Sequence, residues 1–210
     1  MGYNQLKRIM DVFSAVILGI LFFPIGLLVA LAIKLESPNG PVLAETPPRV
    51  GKNGKLFKTY KFRSMIPDAV EYLKSHPQLL ERYKKSSFKL HDDPRVTNVG
   101  KFIRKYSLDE VPQFLNILRG EMSLIGPRPY YADELQEQQR KYPGTTQLVN
   151  DALSVRPGIT GIWQVSGRSE INFDKRIEMD AHYARDKNLW YDLKILFKTP
   201  FVMLSGRGAV

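Results

Sequence analysis

Val12–Ile33 reads VFSAVILGILFFPIGLLVALAI, 22 residues without a single charge and with Ser14 as the only hydroxyl. As a straight helix this run spans roughly 33 Å, about the hydrocarbon thickness of a bilayer. A secretory signal peptide is the competing reading, because Lys7 and Arg8 resemble a charged leader. The run is longer than the apolar part of a leader, and Lys34, Glu36, Ser37 and Pro38 follow it where a small-residue cleavage site belongs. Pro24 sits near its middle, where it removes a helix hydrogen bond and bends the chain. Positive charge flanks both ends: Lys7 and Arg8 before, then Arg49, Lys52, Lys55, Lys58, Lys61 and Arg63 with no acid between 49 and 63. Excess Lys and Arg belong on the cytoplasmic side, so a single crossing explains only one flank. A helix broken at Pro24 that enters and leaves by one face explains both, while a kinked transmembrane helix remains open.

The remaining residues are polar enough for one domain, and 210 residues suffice to bury a core without disulfides or a structural metal. Thirty-one Lys and Arg against 21 Asp and Glu give a formal charge of +10, which calls for an anionic partner. The absence of Cys excludes thiolate metal sites, iron–sulfur clusters and thiol nucleophiles. His76, His91 and His182 form no pair at ligand spacing, so a divalent metal would rest on carboxylates and phosphates, which suits Mg2+. Basic residues are spread along the chain and no nucleic-acid module appears, so nucleic acid is not the expected partner.

Asn53-Gly54, between Arg49-Val50-Gly51 and Leu56–Tyr60, signals a hairpin turn. Residues 67–85 read as helical with an interruption at Pro77, and Asp92-Asp93-Pro94-Arg95 reads as a turn in preference to a metal site. Leu108, Val111, Leu115 and Leu118 recur at helical spacing, which predicts a helix over about 109–118 that stops at Gly120. Residues 127–129 and 156–161 are rich in Pro and Gly and read as loops. A last helix over 188–196 interleaves aromatics with Lys, which fits either the lipid interface or a core-facing helix.

Asp109-Glu110 is the best candidate for chemistry. Pro112 forces a helix to begin just before it, with Ser107 or Asp109 as cap, and Ser107-Leu108-Asp109-Glu110 matches a capping box. Two carboxylates at the positive end of a helix, downstream of Arg104 and Lys105, favour ionisation. An ionised Asp can attack phosphorus and its neighbour can hold Mg2+. Acids in a first turn are also ordinary helix decoration. Lys61, Arg63, Arg104, Arg128, Arg156 and Arg168 lie in turn-like contexts where rigid backbone can aim a fork at a diphosphate, though each alone also reads as a surface charge. No G-x-x-x-x-G-K-[ST] and no G-x-S-x-G occurs.

Six motifs in order carry a resemblance: Lys61–Met65 (KFRSM), Asp93–Arg95 (DPR), Gly100–Lys105 (GKFIRK), Ser107–Gln113 (SLDEVPQ), Met122–Pro129 (MSLIGPRP) and Arg156–Arg168 (RPGITGIWQVSGR). The chain resembles the bacterial sugar transferases, monotopic polyprenyl-phosphate phosphoglycosyl transferases, over about residues 6–201. That resemblance implies transfer of a sugar 1-phosphate from a UDP-sugar to undecaprenyl phosphate at the cytoplasmic face of the bacterial inner membrane, with release of UMP. It implies an α+β, mostly helical fold: a re-entrant membrane helix at 1–36 broken at Pro24, and a membrane-associated catalytic domain at 37–210 with a small hairpin and amphipathic interfacial helices. It assigns Asp109 as the nucleophile forming a covalent phospho-sugar intermediate and Glu110 as the Mg2+ ligand, with Asp109 beside it. Arg104 would bind phosphate, Arg128 and Arg168 would lie along the nucleotide, and Lys61, Arg63, Arg156 and Gln164 are further carry-overs.

Glu71-Tyr72-Leu73, Leu90, His91 and Leu189–Leu196 resemble undecaprenyl-phosphate galactose phosphotransferases, so galactose is expected ahead of glucose and N-acetylated sugars. Members of that group often carry extra N-terminal helices and a further domain, so a catalytic core standing alone, natural or truncated, is expected. Pro47-Pro48 before Arg49 departs from the polar, strand-like pattern expected there. The partners are then a UDP-sugar, undecaprenyl phosphate and the bilayer, with a homodimer left open. A basic membrane-anchored binding module, its dyad merely capping a helix, is the alternative of another class.

Overall fold

The computed structural model describes residues 2–86, 90 and 92–205. His91 and the last five residues of the expected 37–210 domain lie outside them. Helix α1 (Tyr3–Glu36) runs 34 residues through Pro24, about 50 Å at the helical rise. Asp11, Ala15, Leu18, Phe22, Val29 and Ile33 form one stripe at helical spacing, turned toward the rest of the chain. The other faces expose Phe13, Ile17, Ile20, Leu21, Phe23 and Leu28. This apolar surface far exceeds the scattered hydrophobics of a soluble protein, which marks it for lipid or another apolar partner.

Both ends of α1 are bonded to the body. At the N-terminal end, Arg8 donates to the carbonyls of Ile117 and Leu118 at 2.6 and 3.0 Å. Asp11 accepts from Ser123 Oγ and the Leu124 amide at 2.9 and 3.0 Å. At the C-terminal end, Glu36 accepts the Asn98 and Val99 amides at 2.7 and 2.9 Å.

Strands β1 (Arg49–Val50) and β2 (Leu56–Phe57) pair antiparallel. The Lys55 amide reaches the Lys52 carbonyl at 3.2 Å, and Asn53 and Gly54 take positive φ of 55° and 78°. This is the expected tight turn with both central residues left-handed, although β2 stops at Phe57. Helices α2 (Ala69–Lys74) and α3 (Pro77–Lys85) follow, divided before Pro77 as expected. Asp93–Val96 closes a turn, and α4 (Asn98–Lys105) starts at Thr97, whose hydroxyl accepts the Gly100 amide.

The helix expected over 109–118 needs correction. Leu108–Gln113 is a 3₁₀ segment, and α5 covers only Phe114–Leu118. Pro112 has no amide to give to an i−4 carbonyl, so the chain tightens to shorter bonds. Ser107 takes φ 55° and its side chain makes no cap bond, which removes the capping box. The chain then turns at Gly120, with φ 77°.

The loop expected over 156–161 is also corrected. Gly158–Thr160 forms β4, parallel to β3 (Ser123–Ile125), so there is a second two-stranded pair beside the hairpin. Helices α6 (Ala132–Lys141) and α7 (Thr146–Leu153) make the crossover between them. A Cβ on Gly158 would lie 2.1 Å from the Gly126 amide nitrogen. Glycine lets these two backbones touch, and the motif's Gly content reflects that approach instead of looseness.

Helix α8 (Phe173–Asp186) and helix α9 (Leu189–Ser205) complete the body, α9 continuing well beyond the expected 196. Ala15, Ile117, Met122, Ile125, Tyr183 and Ile195 share one core beneath β3. Val50, Tyr130, Val149, Phe173 and Ile177 form a second, and Val29, Ile33 and Ile103 a third that holds the C-terminal half of α1. The mostly helical fold with a long apolar N-terminal helix and a small hairpin is as expected.

Candidate active site

Three backbone relationships bring the charged residues together. The Phe62 amide donates to the Asp109 carbonyl at 2.9 Å, which sets Lys61 beside the 3₁₀ segment. Asn116 is fully buried; its Oδ1 accepts the Tyr60 amide, and its Nδ2 donates to the Lys58 carbonyl and Glu121. These bonds clamp the strand-like segment leading to Lys61. The close contact of Gly126 with Gly158 then holds Pro127-Arg128-Pro129 against Gly158-Ile159.

The result is a small cleft lined by Arg49, Thr59, Lys61, Glu110, Gln113, Arg128, Pro129, Gly158 and Ile159. Lys61 Nζ lies 2.6 Å from Glu110 Oε1 and 3.7 Å from Asp109 Oδ2, and Arg128 Nη2 lies 3.6 Å from the same Glu110 oxygen. Burial by itself would raise the Glu110 pKa, but the Lys61 and Arg128 charges outweigh it and draw the carboxyl down to about 2. Asp109 differs. Burial pushes its carboxyl above the usual range, Lys61 pulls against it, and the neighbouring Glu110 charge adds to the rise. The dyad thus holds one strongly ionised, paired carboxylate beside one whose charge is poorly compensated.

Other expected residues are placed unevenly. Arg104 Nε donates to Ser64 Oγ at 2.9 Å, and its charge reaches Asp109. Arg168 has φ 51° and donates to Ser107 Oγ at 3.2 Å, beside the 3₁₀ segment. Arg63 is buried and spends its guanidinium on Ser37 and Asn39 at the end of α1, away from the cleft lining. Arg156 Nε bonds the Gly120 carbonyl, and Gln164 Nε2 bonds the Ile159 carbonyl; both brace backbone. Pro24 lies within α1.

Arg49 and Asn116 were not legible as site residues. Arg49 registers in the sequence only as one charge in a basic stretch, yet it lines the cleft with its guanidinium 3.4 Å from the Tyr131 ring centroid. Asn116 carries no sequence signal, since a polar residue in a short helix reads as surface.

Among the described residues no three metal-ligating side chains gather. Mg2+ needs only one or two carboxylates when water and phosphate oxygens complete its shell, so Asp109 and Glu110 suit a Mg2+ that arrives with a diphosphate.

The family model for bacterial sugar transferases matches residues 2–206. The chain is 42% identical over 207 residues to the undecaprenyl-phosphate galactose phosphotransferase of Salmonella typhimurium, covering 97% of this chain and 41% of that protein. It is 40% identical over 217 residues to the UDP-glucose:undecaprenyl-phosphate glucose-1-phosphate transferase of Escherichia coli, covering 99% and 42%. It is 43% identical over 208 residues to the exopolysaccharide production protein ExoY of Sinorhizobium fredii, covering 97% and 87%. The chain therefore spans about two fifths of the first two relatives and most of the third. With a matching model over nearly its whole length and a charged dyad cleft held against a long apolar helix, the chain belongs to the bacterial sugar transferase family.

Proposed function

We propose that this chain is a phosphoglycosyl transferase that moves a hexose 1-phosphate from a UDP-sugar to undecaprenyl phosphate. The observation that carries this reading is the charge cluster at the cleft: Glu110 meets Lys61 and Arg128 in its lining, and Asp109 reaches Lys61 beside it, next to Phe62, whose ring faces Gly26 of α1. In the first step an Asp109 carboxylate oxygen bonds to the sugar-bearing phosphorus. The bond from that phosphorus to the bridging oxygen breaks, and UMP leaves with the electron pair. In the second step an oxygen of undecaprenyl phosphate bonds to the same phosphorus and displaces Asp109. Two displacements at one centre let one carboxylate serve a water-soluble donor and a lipid acceptor in turn.

Lys61 and Arg128 offset the repulsion between an anionic nucleophile and a diphosphate. Glu110, with Asp109 beside it, would hold Mg2+, which supplies charge neutralisation at the phosphate oxygens when bound. Arg104, whose charge reaches Asp109, and Arg168, bonded to Ser107 at the start of the 3₁₀ segment, would extend the positive field toward phosphate and nucleotide. The name of the Salmonella relative supports galactose, and the similarly identical Escherichia relative supports glucose as the alternative, with N-acetylated sugars a third.

The contacts of α1 support a re-entrant arrangement on the cytoplasmic face of the bacterial inner membrane. Asp11 and Glu36 both bond to the same body, so a helix standing across the bilayer would have to give up one set. Exposed Trp190, Phe197, Phe201 and Leu204 on α9, with Lys194 and Lys198 among them, suit the lipid interface.

The deciding experiment measures UMP release by detergent-purified protein given UDP-galactose, undecaprenyl phosphate and Mg2+, wild type beside Asp109→Asn. Release by wild type alone is expected. Equal release by both would remove Asp109 as nucleophile. Silence of the wild type across a UDP-sugar panel would favour the membrane-anchored binding module. Against that module stands the pairing of the dyad with Lys61 and Arg128, while the Ser107 side chain makes no cap bond.

A further inference from the structure

Behind the Arg128 loop lies a buried polar cluster that the two displacements do not use. Asp180 on α8 has no exposed surface, and neither carboxylate oxygen closes a hydrogen bond. The Arg128 backbone amide and the Trp163 indole N–H face it as donors without reaching bonding geometry. The Tyr130 hydroxyl, also buried and unbonded, lies within reach of the Asp180 charge. Arg176, one turn before Asp180 on the same buried face of α8, lies with its guanidinium 4.7 Å from the Trp163 ring centroid. Arg128 lies 5.9 Å from the same centroid. The indole is thus shared by two cations, one belonging to the cleft and one to the core.

Burial pushes the Asp180 carboxyl well above the usual carboxylate range, and the facing Arg128 amide, Trp163 indole and Arg128 and Arg176 charges pull against that rise without cancelling it. The facing donors come from Arg128 and from Trp163 in the Gly158–Arg168 stretch, while the charges and hydroxyls within reach belong to Arg128, Tyr130, Arg176 of α8 and Tyr191 of α9. Packing one acid among these donors ties the cleft loop, the indole and α8 into one unit. A hydrophobic residue at 180 would fill the space without specifying the position of the loop.

We propose that Asp180 is a positioning residue: it fixes Trp163 and the backbone of Arg128, and through them the angle at which the Arg128 guanidinium meets the donor diphosphate. This rests on the reading of Arg128 as a donor-binding cation. Asp180 itself touches no substrate.

The test combines kinetics with a spectroscopic readout. Asp180→Ala is expected to raise the KM for the UDP-sugar about tenfold, the size of coupling found within one polar network, with kcat changed much less. Asp180→Asn, which keeps the volume and an acceptor oxygen facing the indole N–H, is expected to recover part of that loss. Because Asp180 acts through Arg128, Asp180→Ala combined with Arg128→Ala should be no worse than Arg128→Ala alone. Multiplicative losses in the double variant would overturn the proposal. In a Trp190→Phe background Trp163 is the sole tryptophan, and its emission should shift to the red on Asp180→Ala. Unchanged emission would also overturn it. If Asp180→Ala fails to fold, the isosteric Asn variant carries both readouts. A wild type silent with every UDP-sugar would count against phosphoglycosyl transfer, and the emission readout would still decide whether Asp180 positions Trp163.

Discussion

Phe62 donates its backbone amide to the carbonyl of Asp109 at 2.9 Å, while its ring would lie 3.5 Å from a Cβ placed on Gly26 of α1. One residue therefore joins the apolar helix to the dyad. Placement of Lys61 is a consequence of the same bond, since Lys61 precedes Phe62 and projects to Glu110 at 2.6 Å. The dyad is thereby held at a fixed position relative to α1.

Lys61→Met should move the acid limb of the pH–rate profile upward. The Lys61 charge favours the ionised forms of Asp109 and Glu110, so its removal raises both pKa values. Activity that needs an ionised Asp109 is then lost at a higher pH as the solution is acidified, by about one unit or more. A profile of kcat/KM against pH for both proteins checks this; an unmoved limb would separate Lys61 from the dyad.

Asn116→Ala should destabilise the fold by about 3 kcal/mol, because it leaves the Tyr60 amide and the Lys58 carbonyl without partners in a buried place. Thermal unfolding in detergent measures it. Asn116→Asp should lower activity as well, since it forfeits the Nδ2 donor to Lys58 and Glu121 and sets a second acid against Glu121.

Asp93 and Arg95 are both buried and joined by two side-chain bonds at 2.8 and 2.6 Å. Burial raises the Asp93 carboxyl, and the bonds and charge of Arg95 outweigh it, so its folded pKa is depressed. Its contribution is therefore present above the unfolded pKa of about 3.9 and is lost as pH falls through the lower folded value. Unfolding midpoints of the wild type should fall over that acid range, and Asp93→Asn should flatten the dependence. At neutral pH Asp93→Ala should cost about 3 kcal/mol by stranding a buried guanidinium.

A chain without cysteine allows direct mapping of the membrane arrangement. Gly2→Cys and Asn39→Cys, at the two exposed ends of α1, should both resist a membrane-impermeant maleimide added to intact cells and both label after permeabilisation. Labelling of one position from outside would show a single crossing instead of a re-entrant helix.

Composition and local pattern alone determined much of this protein. The uncharged run Val12–Ile33, the turn at Asn53-Gly54, the division at Pro77 and the candidacy of Asp109-Glu110 all depend on residue type and spacing within a few positions. Such properties are local: a charge-free run prefers lipid wherever it sits, and Asn-Gly favours positive φ in any context. The site was legible as a set of charges but not as an arrangement. Arg63 and Arg128 look alike in sequence; one ties down residues 37–39 and the other pairs with Glu110. The pairing of β3 with β4 is not legible in the sequence because three-residue strands carry no periodicity, and only backbone contact at Gly126 and Gly158 creates them. Tertiary structure alone decided that Asn116 braces Lys61, that Arg49 lines the cleft and that Asp180 is sealed behind Arg128. Each depends on residues dozens of positions apart, where burial and low dielectric, which no local pattern encodes, decide what a polar side chain does.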